Sequence, residues 1–384
     1  MKVYDVLVVG AGPAGASVAY ELARRKRSVL ILEKAKLPRY KTCGGAIPFN
    51  FFTTLPERVQ KTLDRMLPPC LYFGPEGQSF TPQYGSEIAG VMRDRFDHAC
   101  VLSAADYGAE WVDENRVLSL TEDEDQVLVD TKRGKFAARF LVGADGAMGF
   151  VKRQLKLGAR NRVAAALEME VPRKDGRKGF HADLTRIHFT LIQDGYAWVF
   201  PKAEVDSVGI LSFNRDRQKV RQILSEWVAF CGYDPSKAVI HGHPIPVWKQ
   251  RIKLSTPRAL LVGDAANTVD PLAGEGIRYG ILSGRIAARY LEEAMIRQSH
   301  IQPEYTKTVY EEIHRDFQYA KWLAMLVYRF PKFFYRMWVC TPQATNLLGQ
   351  VLYGELRYRD LFQRAMASFA RLKTYRRFFP GLSH

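Results

Sequence analysis

Residues 3–33, VYDVLVVGAGPAGASVAYELARRKRSVLILE, constrain the fold more than any other part of the chain. An apolar strand, Val3 to Val9, leads into three spaced glycines, Gly10, Gly12 and Gly15. Gly10 permits a tight turn, Gly12 lets the backbone approach a pyrophosphate, and Gly15 lets a following helix pack closely on the strand. The segment therefore predicts the first half of a dinucleotide-binding βαβ unit.

The residues after the glycines complete this unit. A helix is predicted from Pro13, so the N–H groups of its first turn, including that of Ala14, are offered to phosphates. A second strand, 28–32, ends at Glu33, about 20 residues beyond the glycines, where a carboxylate can accept both ribose hydroxyls. Strand, glycines, helix and acid agree on one interpretation, a bound dinucleotide.

Two later segments belong to the same pattern. LVGADG (141–146) is a strand that ends in a turn at Asp145, and a basic helical start follows at Lys152 and Arg153. ALLVGDAA (259–266) is a third apolar strand, which ends at Gly263-Asp264. The stretch from Pro271 to Ile277 then opens a helix predicted over 278–291.

This ordered set resembles the glutathione-reductase-type FAD fold, in its para-hydroxybenzoate-hydroxylase-like branch. The resemblance implies that Asp264 binds the ribityl chain and that the helix start at Gly276–Ile277 lies beside the pyrimidine edge of the flavin. VMRDRFD (91–97) resembles the RxxFD segment of that branch, whose arginine, here Arg93, reaches the cofactor. One departure is Gly149, which stands where the branch often has serine. FAD is the implied cofactor, and the implied binding residues are Gly10, Gly12, Pro13, Ala14, Gly15, Glu33, Lys34, Ala46, Arg93, Asp145, Gly263, Asp264, Pro271, Gly274, Gly276 and Ile277.

Two short segments narrow the resemblance. CGGAIP (43–48) and GYAWVFPK (195–202) are similar to segments of the geranylgeranyl reductases, which include the chlorophyll-pathway enzymes. The resemblance implies that Cys43, Gly44 and Gly45 lie at the flavin face, since glycines allow close backbone approach. Tyr196 and Trp198 share one face of a predicted strand, and two interpretations stay open for them: the wall of an isoprenoid tunnel, or ordinary sheet packing. Phe49, Phe51 and Phe52 are candidates to continue such a wall.

The predicted fold class is α/β, or α+β overall: a discontinuous Rossmann-type FAD domain, an antiparallel-sheet substrate domain and a C-terminal helical region. We assign 1–45, 90–160 and 255–300 to the FAD domain, 46–89 and 161–254 to the substrate domain, and 301–384 to the helical region. Beta-branched and aromatic runs predict strands over 163–171, 187–192, 197–200 and 207–213, and a helix over 216–231.

Cysteine and charge content set further bounds. The five cysteines form no CxxC pair, so we predict a reducing, cytoplasmic setting without a disulfide framework, a zinc site or an iron–sulfur cluster. His181, His188, His241 and His243 have no metal-ligand spacing, and no metal is predicted. The chain enters its first strand at once, which argues against a signal peptide, and no stretch is apolar enough to span a bilayer.

The formal net charge of +16 is concentrated in the last 64 residues, where basic and aromatic residues alternate. The run 321–339, broken by Pro331, suits a helix at an anionic membrane interface. The alternative is a capping helix on the FAD domain whose basic residues are solvated. Lys34, Lys36, Arg39 and Lys41 likewise either meet a diphosphate or phospholipid head group or form a solvated loop. No nucleic-acid motif is present, and we expect no nucleic-acid partner.

The function predicted from these features is an FAD-dependent prenyl reductase that hydrogenates isolated C=C bonds of a polyprenyl chain. A flavin monooxygenase or halogenase is one alternative, although halogenases carry WxWxIP where this chain has Tyr196-Ala-Trp198-Val-Phe-Pro201. A non-redox carotene cyclase is another. No second GxGxxG is present, so NAD(P)H docking transiently and reduced ferredoxin both remain open as electron donors. The prenyl carrier, the proton donor and the oligomeric state stay open.

Overall fold

The structure is a computed structural model that describes residues 2–366 except 69, 74–78, 81–86, 158–162, 174–183, 190, 193, 214–215, 335–340 and 365. His181 and the end of the predicted C-terminal region, 367–384, therefore lie outside the described residues. The strands are β1 (Val3–Val9), β2 (Val29–Leu32), β3 (Ala46–Pro48), β4 (Leu63–Leu67), β5 (Cys70–Phe73), β6 (Ser79–Phe80), β7 (Ile88–Val91), β8 (Glu110–Val112), β9 (Val117–Glu122), β10 (Val127–Thr131), β11 (Gly134–Gly143), β12 (Ala164–Pro172), β13 (Thr185–His188), β14 (Gly195–Pro201), β15 (Val205–Ser212), β16 (His241–Ile245) and β17 (Ala259–Leu261). The α-helices are α1 (Pro13–Ala23), α2 (Phe49–Phe52), α3 (Glu57–Gln60), α4 (Arg93–Ala105), α5 (Phe150–Gln154), α6 (Arg217–Phe230), α7 (Ile277–Ile296), α8 (Glu304–Val309), α9 (Arg315–Arg329), α10 (Pro331–Phe334) and α11 (Pro342–Leu352).

The first sheet carries the three glycine-containing segments identified in the sequence. Its strand order is β8-β2-β1-β11-β10-β9, and β17 pairs in parallel with the end of β11. β1 lies between β2 and β11, parallel to both, so the turns after β1, β11 and β17 meet at one edge. β2 is buried along its whole length, as expected for a parallel strand covered on both faces.

The second sheet has the order β16-β12-β15-β14-β13-β5-β6, and its pairs are antiparallel except β13 with β5. One face packs against α6, where Trp227 and Leu224 are fully buried with Val208 and Ile210. The opposite face carries a separate apolar cluster around Trp198. Because successive side chains along a strand point to opposite faces, this sheet contributes one face to the core with α6 and the other to the cluster around Trp198.

A third, small sheet has the strand order β3-β7-β4. The C-terminal helices α9, α10 and α11 form a third apolar cluster with Leu272 and with partly buried residues of β13 and β14. The run from 321 breaks at Pro331 as predicted, since α9 ends at Arg329 and α10 begins at Pro331.

The predicted fold class is confirmed: a mixed α/β fold with a parallel nucleotide-binding sheet, a largely antiparallel second sheet and C-terminal helices. The predicted strand over 187–192 is wrong at its end, because β13 stops at His188. The division into domains stays a prediction.

Candidate functional site

The turn after β1 is shaped for close approach by a ligand. A Cβ on Gly12 would meet only the Arg39 guanidinium, at 3.8 Å, so the space above this backbone is open. A Cβ on Gly15 would lie 2.2 Å from the Gly10 carbonyl oxygen, so this glycine serves the packing of α1 on β1. α1 begins at Pro13. The open glycine therefore lies at a helix N-terminus, the local geometry that suits a phosphate.

Glu33, at the end of β2, is held against the same turn. Its Oε2 accepts the Ala11 N–H at 2.9 Å and its Oε1 accepts the Ala35 N–H at 3.1 Å. The Arg39 Nε lies 3.6 Å from Oε2. The carboxylate is thus fixed in position beside the glycine turn by backbone donors.

One cavity of about 1050 Å³ extends from this turn to the second sheet and the C-terminal helices. It brings together nearly all of the predicted site residues. Those that line it are Gly10, Gly12, Pro13, Ala14, Glu33, Lys34, Cys43, Gly44, Gly45, Ala46, Arg93, Asp145, Tyr196, Trp198, Gly263, Asp264, Gly274, Gly276 and Ile277. Gly15 and Pro271 do not line it.

The charged part of the cavity contains groups left for a ligand. Among the described residues, none forms a hydrogen bond or ion pair with the Asp264 carboxylate or the Lys41 ammonium. Burial and the Arg93 charge together lower the pKa of Lys41 to about 8, against the opposing charge of Asp264. Lys41 was only one of four loop cations in the sequence, yet it lines the cavity whereas Lys36 is exposed and does not.

Two predicted cofactor residues are engaged with the protein. Arg93 binds Asp97 through Nε and Nη2, both at 2.8 Å, and it also lines the cavity. Asp145 accepts the N–H groups of Phe150 and Val151, at 2.5 and 3.0 Å, and so caps α5. A Cβ on Gly149 would lie 2.3 Å from the Asp145 Oδ1, so the missing serine makes room for this cap.

The turn Cys43–Gly45 packs directly on β14. A Cβ on Gly44 would lie 2.6 Å from the Phe200 ring, and the Gly45 carbonyl accepts the Lys202 ammonium at 3.0 Å. From the sequence, these glycines were expected to allow close approach of a cofactor. The structure gives a second reason, because the aromatic rings of β14 pack so closely against the turn that a side chain at Gly44 would clash with them.

The aromatic face of β14 forms one wall of the cavity. Tyr196, Trp198 and Phe200 alternate along the strand, with ring centroids 6.1 and 6.2 Å apart. The Tyr196 hydroxyl donates to the Ala273 carbonyl at 2.5 Å, which ties the wall to the loop before α7. The suggestion that Phe49, Phe51 and Phe52 continue this wall is wrong. Those residues pack into the core of the first sheet, because the α2 turn directs them away from the cavity.

The helices α10 and α11 close the apolar end, a role that sequence reasoning missed. Phe334, Leu348, Leu352 and Tyr353 line the cavity. No motif signalled these residues, because a wall built by helices far along the chain leaves only an apolar pattern in the sequence.

Two buried tyrosine hydroxyls, one on α9 and one beyond the end of α11, tie the C-terminal region to the loop that precedes α7. Tyr328 donates to the Leu272 carbonyl at 2.7 Å, and Tyr358 donates to the Asp270 carboxylate at 2.8 Å. At the start of α7, Glu275 pairs with Arg278 at 2.6 Å, and burial raises the pKa of Glu275 to about 7 against the opposing charge of Arg278. The C-terminal helices therefore help to position the loop of the predicted flavin edge.

No cluster of histidine, cysteine and carboxylate side chains suited to a metal occurs within the described ranges. Burial lowers the pKa of His188 to about 4 and that of His243 to about 3, and we assign neither a role. In the described part of the chain, no helix has the length and apolarity needed to cross a bilayer.

Comparison with protein families agrees with this geometry. Residues 78–298 match the family described as FAD binding domain, and residues 5–47 match the one described as FAD dependent oxidoreductase. The chain is 30% identical over 363 residues to an uncharacterized protein of Methanosarcina barkeri, which covers 94% of this chain and 90% of that protein. It is 28% identical over 360 residues to a digeranylgeranylglycerophospholipid reductase of Methanosphaera stadtmanae, covering 85% and 86%.

Solved structures support the same architecture. A geranylgeranyl bacteriochlorophyll reductase-like protein of Thermoplasma acidophilum aligns with a TM-score of 0.77 at 22% identity, covering 91% of this chain and 96% of that one. A flavin-dependent brominase aligns with a TM-score of 0.73 at 20% identity, covering 96% and 100%. At these identities the alignments establish the fold.

Proposed function

The chain belongs to the FAD-binding-domain family of flavoproteins, and from that premise we propose that it is a prenyl reductase that hydrogenates isolated C=C bonds of a polyprenyl chain. It is an FAD-dependent oxidoreductase. The observation that carries the finer proposal is the cavity itself: a single space is polar at the glycine turn and apolar where β14 meets α10 and α11.

The residues present fit FAD. The open backbone at Gly12 and the start of α1 suit the pyrophosphate, with Lys41 as a counter-charge. Glu33 lies where a ribose would be bound, and the Asp264 carboxylate, which has no partner among the described residues, offers acceptors to the ribityl hydroxyls. The start of α7, at Gly276 and Ile277, presents the positive end of a helix dipole to the same space.

An isolated alkene is unactivated, so the protein must act by positioning it and by excluding water. Reduced FAD, when bound, would supply a hydride to one alkene carbon, and a proton from a side chain or a trapped water would reach the other. The wall formed by Tyr196, Trp198 and Phe200, together with Phe334 and Leu352, gives an apolar chain contacts along its length and leaves few polar groups to retain water. The turn Cys43–Gly45 lines the same cavity as this aromatic wall and the glycine turn after β1.

We propose that the electrons come from NAD(P)H docked transiently or from reduced ferredoxin. The relatives named as lipid reductases favour a prenyl group carried by a lipid. Five of the large apolar side chains on α9 and α10 are exposed, namely Trp322, Met325, Leu326, Phe330 and Phe333. We propose that this surface, the α9–α10 patch, contacts an anionic lipid membrane.

Charge supports that partner for the α9–α10 patch. Residues 321–334 contain Lys321, Arg329 and Lys332 and no acidic residue, and Arg329 and Lys332 are exposed beside the apolar side chains. Exposed aromatic rings interleaved with cations suit the boundary of an anionic bilayer. The opposite face of the same helices bears Phe334, which lines the cavity, so a lipid-borne chain would have a short path inward.

The decisive experiment is anaerobic. The holoprotein is reduced with dithionite, geranylgeranyl diphosphate or a geranylgeranylated glycerophospholipid is added, and flavin reoxidation near 450 nm is followed together with product mass. Reoxidation with mass gains of two hydrogens is expected for at least one of these substrates. If neither substrate gains hydrogen, the proposed function is wrong.

The alternative is a flavin monooxygenase or halogenase, which the brominase fold accommodates. Oxygen-dependent oxidation with an aromatic substrate and no reoxidation by a prenyl substrate would favour it. A product isomeric with its substrate would instead indicate a non-redox carotene cyclase.

A further inference from the structure

A buried carboxylate, Glu168, links the Cys43–Gly45 turn to the aromatic wall of β14, two segments that the sequence analysis considered separately. Glu168 lies in β12 and is fully buried. Its Oε2 accepts the Cys43 N–H at 2.7 Å, and its Oε1 accepts the Ser207 hydroxyl at 2.5 Å. The Tyr40 hydroxyl lies 3.5 Å from Oε2. Both oxygens are therefore used, and each of these three neighbours is a donor.

Ser207 passes this connection to the aromatic wall. Its hydroxyl oxygen accepts the indole N–H of Trp198 at 3.0 Å while its own hydrogen goes to Glu168. The ring of Trp198 rests on Gly209, the residue directly opposite it in β15, where a Cβ would lie 2.1 Å from the ring. Gly209 thus leaves room for the indole ring, and the Ser207 hydroxyl fixes its orientation.

Lys202 holds the other side of the Cys43–Gly45 turn. It is almost fully buried and donates to the Gly45 carbonyl at 3.0 Å. Burial raises the pKa of Glu168, and the donors Ser207 and Cys43 and the positive charge of Lys202 oppose that rise. A carboxylate that meets only donors is best satisfied when ionised. Glu168 therefore binds the turn at its first residue, Cys43, and Lys202 binds it at its last, Gly45.

We propose that Glu168 is a positioning residue, which through Ser207 fixes the Trp198 ring and through the Cys43 N–H fixes the turn beside it, so that both surfaces meet the substrate in one geometry. This rests on the proposed function, since it takes Trp198 as part of the substrate wall. A buried network that is fully satisfied specifies a single arrangement of its members. Misplacing a reacting group by a fraction of an ångström is costly to turnover even when binding persists.

The first test is a double-mutant cycle. Ser207→Ala should lower kcat with geranylgeranyl substrate about tenfold, because the indole N–H loses its acceptor, with a smaller change in KM. In the Trp198→Phe background, where that N–H is gone, Ser207→Ala should cost less than about threefold. Ser103→Ala, which removes a buried hydroxyl that donates to the Ala99 carbonyl within α4, is the matched control and should leave kcat and KM unchanged. Equal effects of Ser207→Ala in both backgrounds would overturn the proposal.

The second test does not depend on turnover. Glu168→Met removes both carboxylate oxygens from a side chain of similar length, so the Cys43 N–H and the Ser207 hydroxyl both lose their acceptor. Deuterium uptake in the peptide that contains Cys43 should rise by about one amide, with FAD occupancy confirmed by the flavin spectrum. Unchanged uptake together with unchanged kcat would show that Glu168 positions neither group. If the wild-type protein reduces no prenyl substrate, the proposed function fails, and the exchange measurement alone decides whether Glu168 holds the turn.

Discussion

The two ends of the cavity are built in opposite ways. The nucleotide end consists of turns that follow β1, β11 and β17, which lie side by side, so a few adjacent residues define each contact. The apolar end is assembled from β14 and from α10 and α11, which lie more than a hundred residues further along the chain. A local turn imposes strict demands on residue type, whereas a wall of packed side chains accepts many apolar residues of suitable volume. The two ends should therefore respond differently to substitution.

The largest effect is expected at Gly12. Gly12→Ala should weaken FAD binding about a hundredfold, because the methyl group occupies the space left for the ligand, a form of overpacking. The backbone angles of Gly12, φ −77° and ψ 175°, suit alanine, so the apoprotein should keep its thermal midpoint. Titration of apoprotein with FAD, followed by flavin fluorescence, measures the first quantity and calorimetry the second. A loss of apoprotein stability equal to the loss of affinity would show that the open space serves folding.

At the apolar end, substitution should lower turnover and leave FAD affinity nearly unchanged. Trp198→Ala should lower kcat/KM for a geranylgeranyl substrate about thirtyfold, because an aromatic surface that contacts the chain is removed. FAD affinity should stay within about threefold of the wild type, since Trp198 touches the turn but none of the nucleotide end. Steady-state kinetics and FAD titration on the same preparation give both numbers. Unchanged turnover would assign Trp198 to sheet packing, the interpretation that the sequence left open.

A third prediction concerns charge at the nucleotide end. The pKa of Lys41 is lowered to about 8 by burial and by Arg93. A bound pyrophosphate raises it, so the lysine contributes fully to binding below pH 8, and its contribution is lost as the pH rises toward the pKa of the complex. FAD affinity should thus fall by up to about tenfold per pH unit above pH 8. Lys41→Met should bind FAD more weakly at pH 7 and lack this dependence; Lys36→Met, at an exposed position outside the cavity, should keep it.

The difference between the ends also explains what the sequence could reveal. Gly12 and Glu33 were predicted because a phosphate and a ribose each restrict the residue type at one spacing, and Asp264 was predicted from the family resemblance. Glu168 gave no such signal: in AAALEMEVP it reads as a strand residue, and only the folded structure brings it against Cys43 and Ser207. The same holds for Leu348 and Leu352, whose contribution depends on how distant helices dock. The expectation for Phe49, Phe51 and Phe52 was wrong because adjacency to Pro48 in sequence does not decide which way a short helix turns.

The smallest effect is expected outside both ends, on the α9–α10 patch. Its Trp322 and Phe330 side chains are 65% and 55% exposed, and they are flanked by Arg329 and Lys332. Trp322→Ser with Phe330→Ser should lower binding to vesicles of mixed phosphatidylglycerol and phosphatidylcholine about fivefold, as apolar insertion is lost. Charge attraction should persist and weaken with added salt. Sedimentation with vesicles measures binding. Phe230→Ser is the control, because Phe230 is as exposed as Trp322 but lies on α6, outside the α9–α10 patch. Because the patch lies on the outer face of helices whose inner face closes the cavity, the double variant should keep its activity on short, water-soluble prenyl diphosphates. Parallel losses on soluble and membrane-borne substrates would mean that the patch supports the cavity wall rather than the lipid contact.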